Sequence, residues 1–156
     1  MQDTNILSQS YTLIWSQKVS LENLATLASS ITSELKKYPT FCLWLEGPLG
    51  AGKTTVVGHM LRSLGLASHI PITSPTYTYL NDYCIGDTWY GHIDCYRIAD
   101  YTWEDYDMFA YHPYAGFFVE WPSLIQGSLL RATHRLEISP QEDNQTERTY
   151  SFYRYT

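Results

Sequence analysis

Basic residues are scarce in this 156-residue chain, where ten Lys and Arg stand against sixteen Asp and Glu for a formal net charge of -6. From Ile98 to Leu130 there is neither a Lys nor an Arg. That shortage argues against independent tight binding to nucleic acid, because such affinity comes largely from neutralising phosphates. Long apolar runs are also missing: none approaches the ~18 to 20 residues that a membrane span needs. The first residues, Met1-Gln2-Asp3-Thr4-Asn5, lack the basic-then-apolar layout of a secretory signal. Cysteine is limited to Cys42, Cys84 and Cys95, an odd set without a C-x-x-C pair, so a disulfide framework or a zinc knuckle has no support. With 44% hydrophobic residues, ordinary for a globular protein, the expectation is a single cytoplasmic domain over residues 1–156 with reduced thiols and no membrane contact.

The strongest positive signal is Gly47-Pro48-Leu49-Gly50-Ala51-Gly52-Lys53-Thr54-Thr55, a full match to the phosphate-binding pattern G-x-x-x-x-G-K-[ST]. Glycines let the backbone turn so that successive N–H groups point at phosphate oxygens. Lys53 adds a point charge near the β- and γ-phosphates, and the Thr54 hydroxyl suits Mg²⁺. The pattern has meaning only between a strand and a helix N-terminus. Upstream, Phe41-Cys42-Leu43-Trp44-Leu45-Glu46 reads as a buried parallel strand. Downstream, Val56, Val57, Met60, Leu61 and Leu64 fall on one face of a helix from Thr54, with Gly65 as its C-cap. The nucleotide implied is a triphosphate, with residues 47–55 as its cradle.

Elsewhere, residues 11–15 read as a first strand. Ser20 reads as the N-cap of an amphipathic helix through Leu21, Leu24, Leu27, Ala28, Ile31 and Leu35, ending near Lys37 before Pro39. Ser74 to Tyr79 is an edge strand or an ordered loop, and Thr88 to Tyr96 a strand after a Gly86-Asp87 turn. A weak helical pattern covers Ala99 to about Ala110. Gly116 to Glu120 is a buried strand stopped by Pro122. Residues 134–139 and 148–154 alternate around a polar loop, which predicts a closing antiparallel hairpin. The fold class expected is α/β, a P-loop NTPase-like sheet, partly parallel with an antiparallel C-terminal extension, flanked by helices.

Asp94 and Glu120 lie in or at the end of predicted strands, and ligands in open α/β sheets bind at the carboxyl ends of strands. Transfer of a phosphoryl group to water needs a cation clamp and a group that orients the nucleophile, roles open to these two acids. The plainer alternatives are that Asp94 pairs with Arg97 and that Glu120 is a solvated strand end. His92 shares a face with Asp94, and a packed histidine is the plainer reading. His92, Cys84 and Cys95 make poor zinc geometry. Tyr77, Tyr79, Tyr83 and Tyr90 could stack on bases, but without interleaved Lys or Arg they favour core packing or a protein interface. Asp100, Glu104, Asp105 and Asp107 form a solvated acidic face or a surface for a basic partner.

Taken together, G-P-L-G-A-G-K-T-T at 47–55, S-P-T-Y at 74–77, H-I-D-C-Y-R at 92–97 and V-E-W-P at 119–122 resemble the bacterial TsaE family. The resemblance implies a small P-loop ATPase that works with TsaD and TsaB in making the threonylcarbamoyladenosine modification of tRNA, touching tRNA only through that complex. It implies ATP and Mg²⁺ as ligands, held by Lys53 and Thr54. By the same resemblance Thr76 would sense the γ-phosphate, Asp94 would be the acidic Mg²⁺ partner, Glu120 would position or activate the attacking water, and Trp121 would line the site. Pro48 stands where the family often has an acidic or polar residue, Ser123 follows Pro122 where an acidic residue is common, and the stretch from Trp103 to Pro113 is atypical.

Two other functions compete. A small-molecule kinase would use the same loop but hand the γ-phosphoryl to a hydroxyl, and would want a cationic lid that residues 98–130 do not supply. A nucleotide-dependent adaptor without hydrolysis would have no use for Asp94 and Glu120. No Asn-Lys-x-Asp segment for reading guanine occurs, which disfavours a GTPase.

Overall fold

Phe41–Glu46 (β2) is almost wholly apolar, and it lies where such a strand must, with neighbours on both edges of a seven-stranded sheet. The computed structural model describes residues 10–75, 79–96, 112–122 and 131–156. In chain order the strands are β1 (Tyr11–Ser20), β2, β3 (Leu80–Ile85), β4 (Thr88–Asp94), β5 (Tyr114–Glu120), β6 (His134–Pro140) and β7 (Glu147–Tyr155). Their order across the sheet is β1-β7-β6-β2-β5-β4-β3. The four central strands β6, β2, β5 and β4 are mutually parallel, while β3 on one side and β7 and β1 on the other run antiparallel to their neighbours. This is the mixed α/β sheet expected, including the closing hairpin.

Two helices, α1 (Leu24–Leu35) and α2 (Lys53–Leu64), cover one face. Leu27, Ile31 and Leu35 of α1 and Val56, Val57 and Met60 of α2 meet Leu43, Leu45, Phe118, Leu136 and Phe152 of the sheet in the main core. Alternation along each strand sends Cys42, Ile93 and Val119 to a smaller cluster with Cys95 on the opposite face. Gly65 terminates α2, and the Leu66 N–H donates to the Leu61 carbonyl, a Schellman closure.

Four details differ from the reading of the sequence. Ser20 does not cap the first helix: its backbone is extended, its hydroxyl accepts from the Asn23 side chain, and a 3₁₀ turn over Leu21–Asn23 intervenes. The α-helix itself ends at Leu35, with Lys36 and Lys37 in the turn before Pro39. Strand β3 was not expected, because its mixed sequence Leu-Asn-Asp-Tyr-Cys-Ile shows little apolar alternation; it forms by pairing with β4 through the two-residue Gly86-Asp87 turn. β1 runs to Ser20 rather than stopping at Trp15, since β7 offers it a partner along its whole length, with a bulge between Leu13 and Trp15. The helical pattern from Ala99 to Ala110, the acidic residues Asp100 to Asp107, Arg97, Thr76, Tyr77 and Ser123 lie outside the described residues.

Candidate nucleotide site

The site sits where the central parallel strands end. β2 feeds directly into residues 47–52, which enter α2 at Lys53. Gly50 (φ 77°) and Gly52 (φ 102°) adopt left-handed conformations, and a Cβ at either would meet nothing within 4 Å. The loop is therefore open on its outer side, with room for an anion against the backbone and the helix N-terminus. Gly47 is constrained from the other side, because a Cβ there would lie 2.7 Å from the Ile138 carbonyl oxygen of β6.

Lys53 is buried, and its Nζ donates to the carbonyls of Gly47 (2.8 Å) and Pro48 (3.0 Å) across the loop. Its ammonium also lies 3.9 Å from the centre of the Trp121 ring, a cation–π contact. Burial pushes the Lys53 pKa down from its ordinary value, opposed by the negative charges of Glu120, Asp94 and Glu46.

The acids converge as their register requires. Asp94 of β4 and Glu120 of β5 are paired residues of parallel neighbours, so their side chains leave the same face, toward α2. Glu120 is buried, and its Oε1 accepts two bonds of 2.7 Å, one from the Thr54 hydroxyl and one from Nε2 of His92. Asp94, also buried, accepts from the backbone N–H of Tyr96 (2.9 Å) and from the Ser74 hydroxyl (3.2 Å). Trp121 follows Glu120 in the left-handed region at φ 57°, a conformation that disfavours a residue with a Cβ and recurs at functional sites.

A cleft of about 450 Å³ joins these groups; Lys53, Thr54, Ser74, Asp94, Glu120 and Trp121 line it together with Leu49, Gly50, Gly52, Thr55 and Tyr96. A larger hollow of about 660 Å³ lies on the other flank of the same loop, sharing Gly50, Gly52 and Thr55 and bounded by Val19, Leu21, Leu24 and Tyr150 among others. Among the described residues no three His, Cys, Asp or Glu side chains are grouped to hold a metal ion. The available donors are a hydroxyl and carboxylates, hard oxygen ligands. Such a set fits Mg²⁺, which takes one or two protein oxygens and completes its shell with water and phosphate, better than it fits zinc. Ser74 and Tyr96 were not singled out as site residues in the sequence; the S-P-T-Y string was the available pointer to Ser74. His92 was read as a packing residue, and its bond to Glu120 gives it a second role. Cys84 is exposed on β3 and Cys95 buried behind the sheet. Tyr83 and Tyr90 pair across β3 and β4 inside the core rather than offering a stacking surface.

Comparison with known proteins bears on the same segments. The family model described as "Threonylcarbamoyl adenosine biosynthesis protein TsaE" matches residues 18–150, from the end of β1 into β7. The chain is 34% identical to the tRNA threonylcarbamoyladenosine biosynthesis protein TsaE of Bacillus subtilis over 114 residues, 72% of this chain and 70% of that one. It is 31% identical to the protein of the same description from Haemophilus influenzae, over 74% of this chain and 73% of that one. With the Aquifex aeolicus protein of that description the identity is 36%, over 54% of this chain and 62% of the relative. The crystal structure of Bacillus YdiB superposes with a TM-score of 0.65 at 26% identity, covering 95% of this chain and 88% of the other. The glycine loop and the paired acids fall within the matched region, and the chain belongs to the TsaE family.

Proposed function

We propose that this protein binds ATP with Mg²⁺ in the cleft at the head of α2 and hydrolyses it, serving tRNA threonylcarbamoyladenosine biosynthesis together with TsaD- and TsaB-like partners. The observation that carries the reading is the meeting of Thr54 with Glu120, beside Asp94 and Lys53, at the open side of a glycine loop. Loop N–H groups and the α2 N-terminus bind phosphate oxygens, and Lys53 turns its ammonium from the Gly47 and Pro48 carbonyls toward them. Thr54, with Asp94 as acidic partner, holds Mg²⁺, which supplies neutralisation of the charge that builds on the phosphoryl oxygens. Glu120 orients the attacking water and accepts its proton, and Trp121 closes the side of the cleft over Lys53. Thr76 is assigned the γ-phosphate contact by the family resemblance. The hollow bounded by Val19, Leu21 and Tyr150 gives the base and ribose an apolar seat continuous with the phosphate loop.

The net charge of -6 favours a component that reaches tRNA through its partners rather than by itself. Among the described residues no helix is long and apolar enough to cross a membrane. The decisive experiment measures nucleotide binding and turnover on the same samples of wild type and Glu120→Gln, with and without TsaD and TsaB. Glu120→Gln is expected to bind ATP within a few-fold of wild type and to turn over ~100-fold more slowly, because a water-orienting group acts on the transition state. Partners should raise the wild-type rate. Normal turnover by Glu120→Gln, or phosphoryl transfer to a hydroxyl acceptor in place of water, would overturn the reading.

A further inference from the structure

We infer that His92 is a positioning residue for hydrolysis, holding Glu120 in its working orientation once Thr54 is engaged elsewhere. The inference rests on the assignment of Glu120 above and extends it to a side chain that does not line the cleft.

Glu120 depends on the donors that surround it. Its carboxyl is buried, and a buried carboxylate that lacks hydrogen-bond donors is costly and free to rotate toward whatever donor it finds. Oε1 has two donors, Thr54 Oγ1 and His92 Nε2, each at 2.7 Å. Thr54 is also the residue assigned to Mg²⁺, so in the loaded site its hydroxyl turns toward the cation and its bond to Glu120 weakens. His92 has no such competing duty. It is fully buried on β4, a strand flanked by β5 and β3. Its Nδ1 is buried with no hydrogen-bond partner among the described residues. A carboxylate only accepts, so Nε2 is the donor in this bond. The ring is thus committed to Glu120 through one nitrogen.

Register explains how this reach arises. In the β4–β5 pairing His92 stands opposite Phe118 and Asp94 opposite Glu120, with all four side chains on the helix-covered face. His92 therefore lies one step below Glu120 on the neighbouring strand and supports it from the core side, away from the nucleotide. Its effect is on orientation, and it belongs in turnover rather than in nucleotide affinity.

Three substitutions test this with wild type and Glu120→Gln alongside. His92→Phe keeps the ring volume and removes the donor. His92→Gln places an amide N–H at about the reach of Nε2, whereas His92→Asn reaches only about as far as Nδ1. The expected result is that His92→Phe and His92→Asn lose ~10- to 100-fold in kcat while their ATP and ADP affinities, measured with and without Mg²⁺, stay within about twofold, since a ~1 Å misplacement of a reacting group costs up to ~100-fold in rate. His92→Gln should recover most of the lost rate. In the Glu120→Gln background, His92→Phe should cause no further loss. Wild-type kcat in His92→Phe, full additivity of the two changes, or equal rates for His92→Gln and His92→Asn would overturn the inference. Should His92→Phe fail to fold, the Gln and Asn pair still decides it. Normal turnover by Glu120→Gln would instead remove the assignment on which the inference stands, so the two failures are distinct.

Discussion

The parallel strands have two ends, and each end contains a fully buried histidine, yet the two are used in opposite ways. At the carboxyl end, His92 donates to Glu120 beside Asp94, Thr54 and Lys53, and the surroundings are polar and open to a cleft. At the amino end, His134 begins β6 between aromatic rings, stacked on Phe152 at 5.4 Å and met edge-on by Tyr38 at 4.8 Å. Its Nδ1 bonds to the Thr133 hydroxyl at 2.9 Å, and its Nε2 is buried without a partner among the described residues. Around it the strand starts are apolar: Phe41 of β2 lies against Phe118 (5.4 Å) and Tyr90 (6.0 Å), and its ring sits so close over Gly116 that a Cβ there would be 2.2 Å away. One end gathers charged and polar side chains around a cleft, and the other packs aromatic rings. The difference follows from direction, because loops leaving parallel strands at their carboxyl ends lead into helix N-termini that attract anions.

The sharpest way to break that division is a pair of substitutions at the two ends of β2. Lys53→Ala, just past its carboxyl end, should lower ATP affinity ~30-fold or more, since truncating one partner of a buried charge contact costs ~2 to 5 kcal/mol, while the folded structure persists. Phe41→Ala, at its amino end, should cost ~3 to 5 kcal/mol of folding stability and leave the affinity of the folded fraction unchanged. Calorimetric titration and urea unfolding on both variants check this. A Phe41→Ala protein that folds well but binds poorly would show that the two ends are coupled.

Much of this arrangement was legible in the sequence, and the reasons are local. The glycine loop, β2, α2 and the β6–β7 hairpin each show a periodicity or turn pattern of their own, so residues 41–65 and 134–155 read as they fold. Glu120 could be nominated because it follows an apolar run, and Asp94 because it lies within a predicted strand. β3 was not legible, since Asn81 and Asp82 interrupt its apolar character and its strand state comes from pairing with β4. The start of α1 was misplaced because a serine before a leucine-rich run satisfies the capping pattern, while the chain takes one 3₁₀ turn first. His92 was placed on the correct face, but its partner lies 28 residues away on the next strand, and only register brings them together.

A second prediction uses the amino-end histidine. Burial pushes the His134 pKa down to about 4 from its ordinary 6.5, with Glu34 opposing the shift and Arg154 reinforcing it. In the unfolded chain the imidazole takes up a proton below about pH 6.5, while in the folded protein it stays neutral until about pH 4. The unfolded state therefore binds more protons in that window, and stability falls as pH drops through it, by about 3 kcal/mol from this residue. Above pH 6.5 the contribution is fully present. His134→Phe should flatten the pH dependence of the urea midpoint between pH 4 and 6.5, and an unchanged slope would mean that another group governs acid unfolding.

The smallest expected effect returns to the carboxyl end and asks how finely its polar contacts are shared. Among the described residues Asp94 has two donors, and the Ser74 hydroxyl at 3.2 Å is the longer contact, while the Tyr96 N–H at 2.9 Å is fixed by the backbone turn after β4. Ser74→Ala removes a hydroxyl donor to the Asp94 carboxylate at the mouth of a cleft where water can replace it, so the melting midpoint should move by no more than the equivalent of about 2 kcal/mol. Asp94 is the acidic partner assigned to Mg²⁺, so freeing one of its oxygens should alter ATP affinity in the presence of Mg²⁺ by about two- to fivefold and leave Mg²⁺-free affinity as it was. Titrating ATP with Mg²⁺ and with EDTA on the same protein separates these. If Ser74→Ala changed both affinities equally, Ser74 would be acting on the phosphates themselves, and the polar end of the sheet would extend one loop further than Asp94.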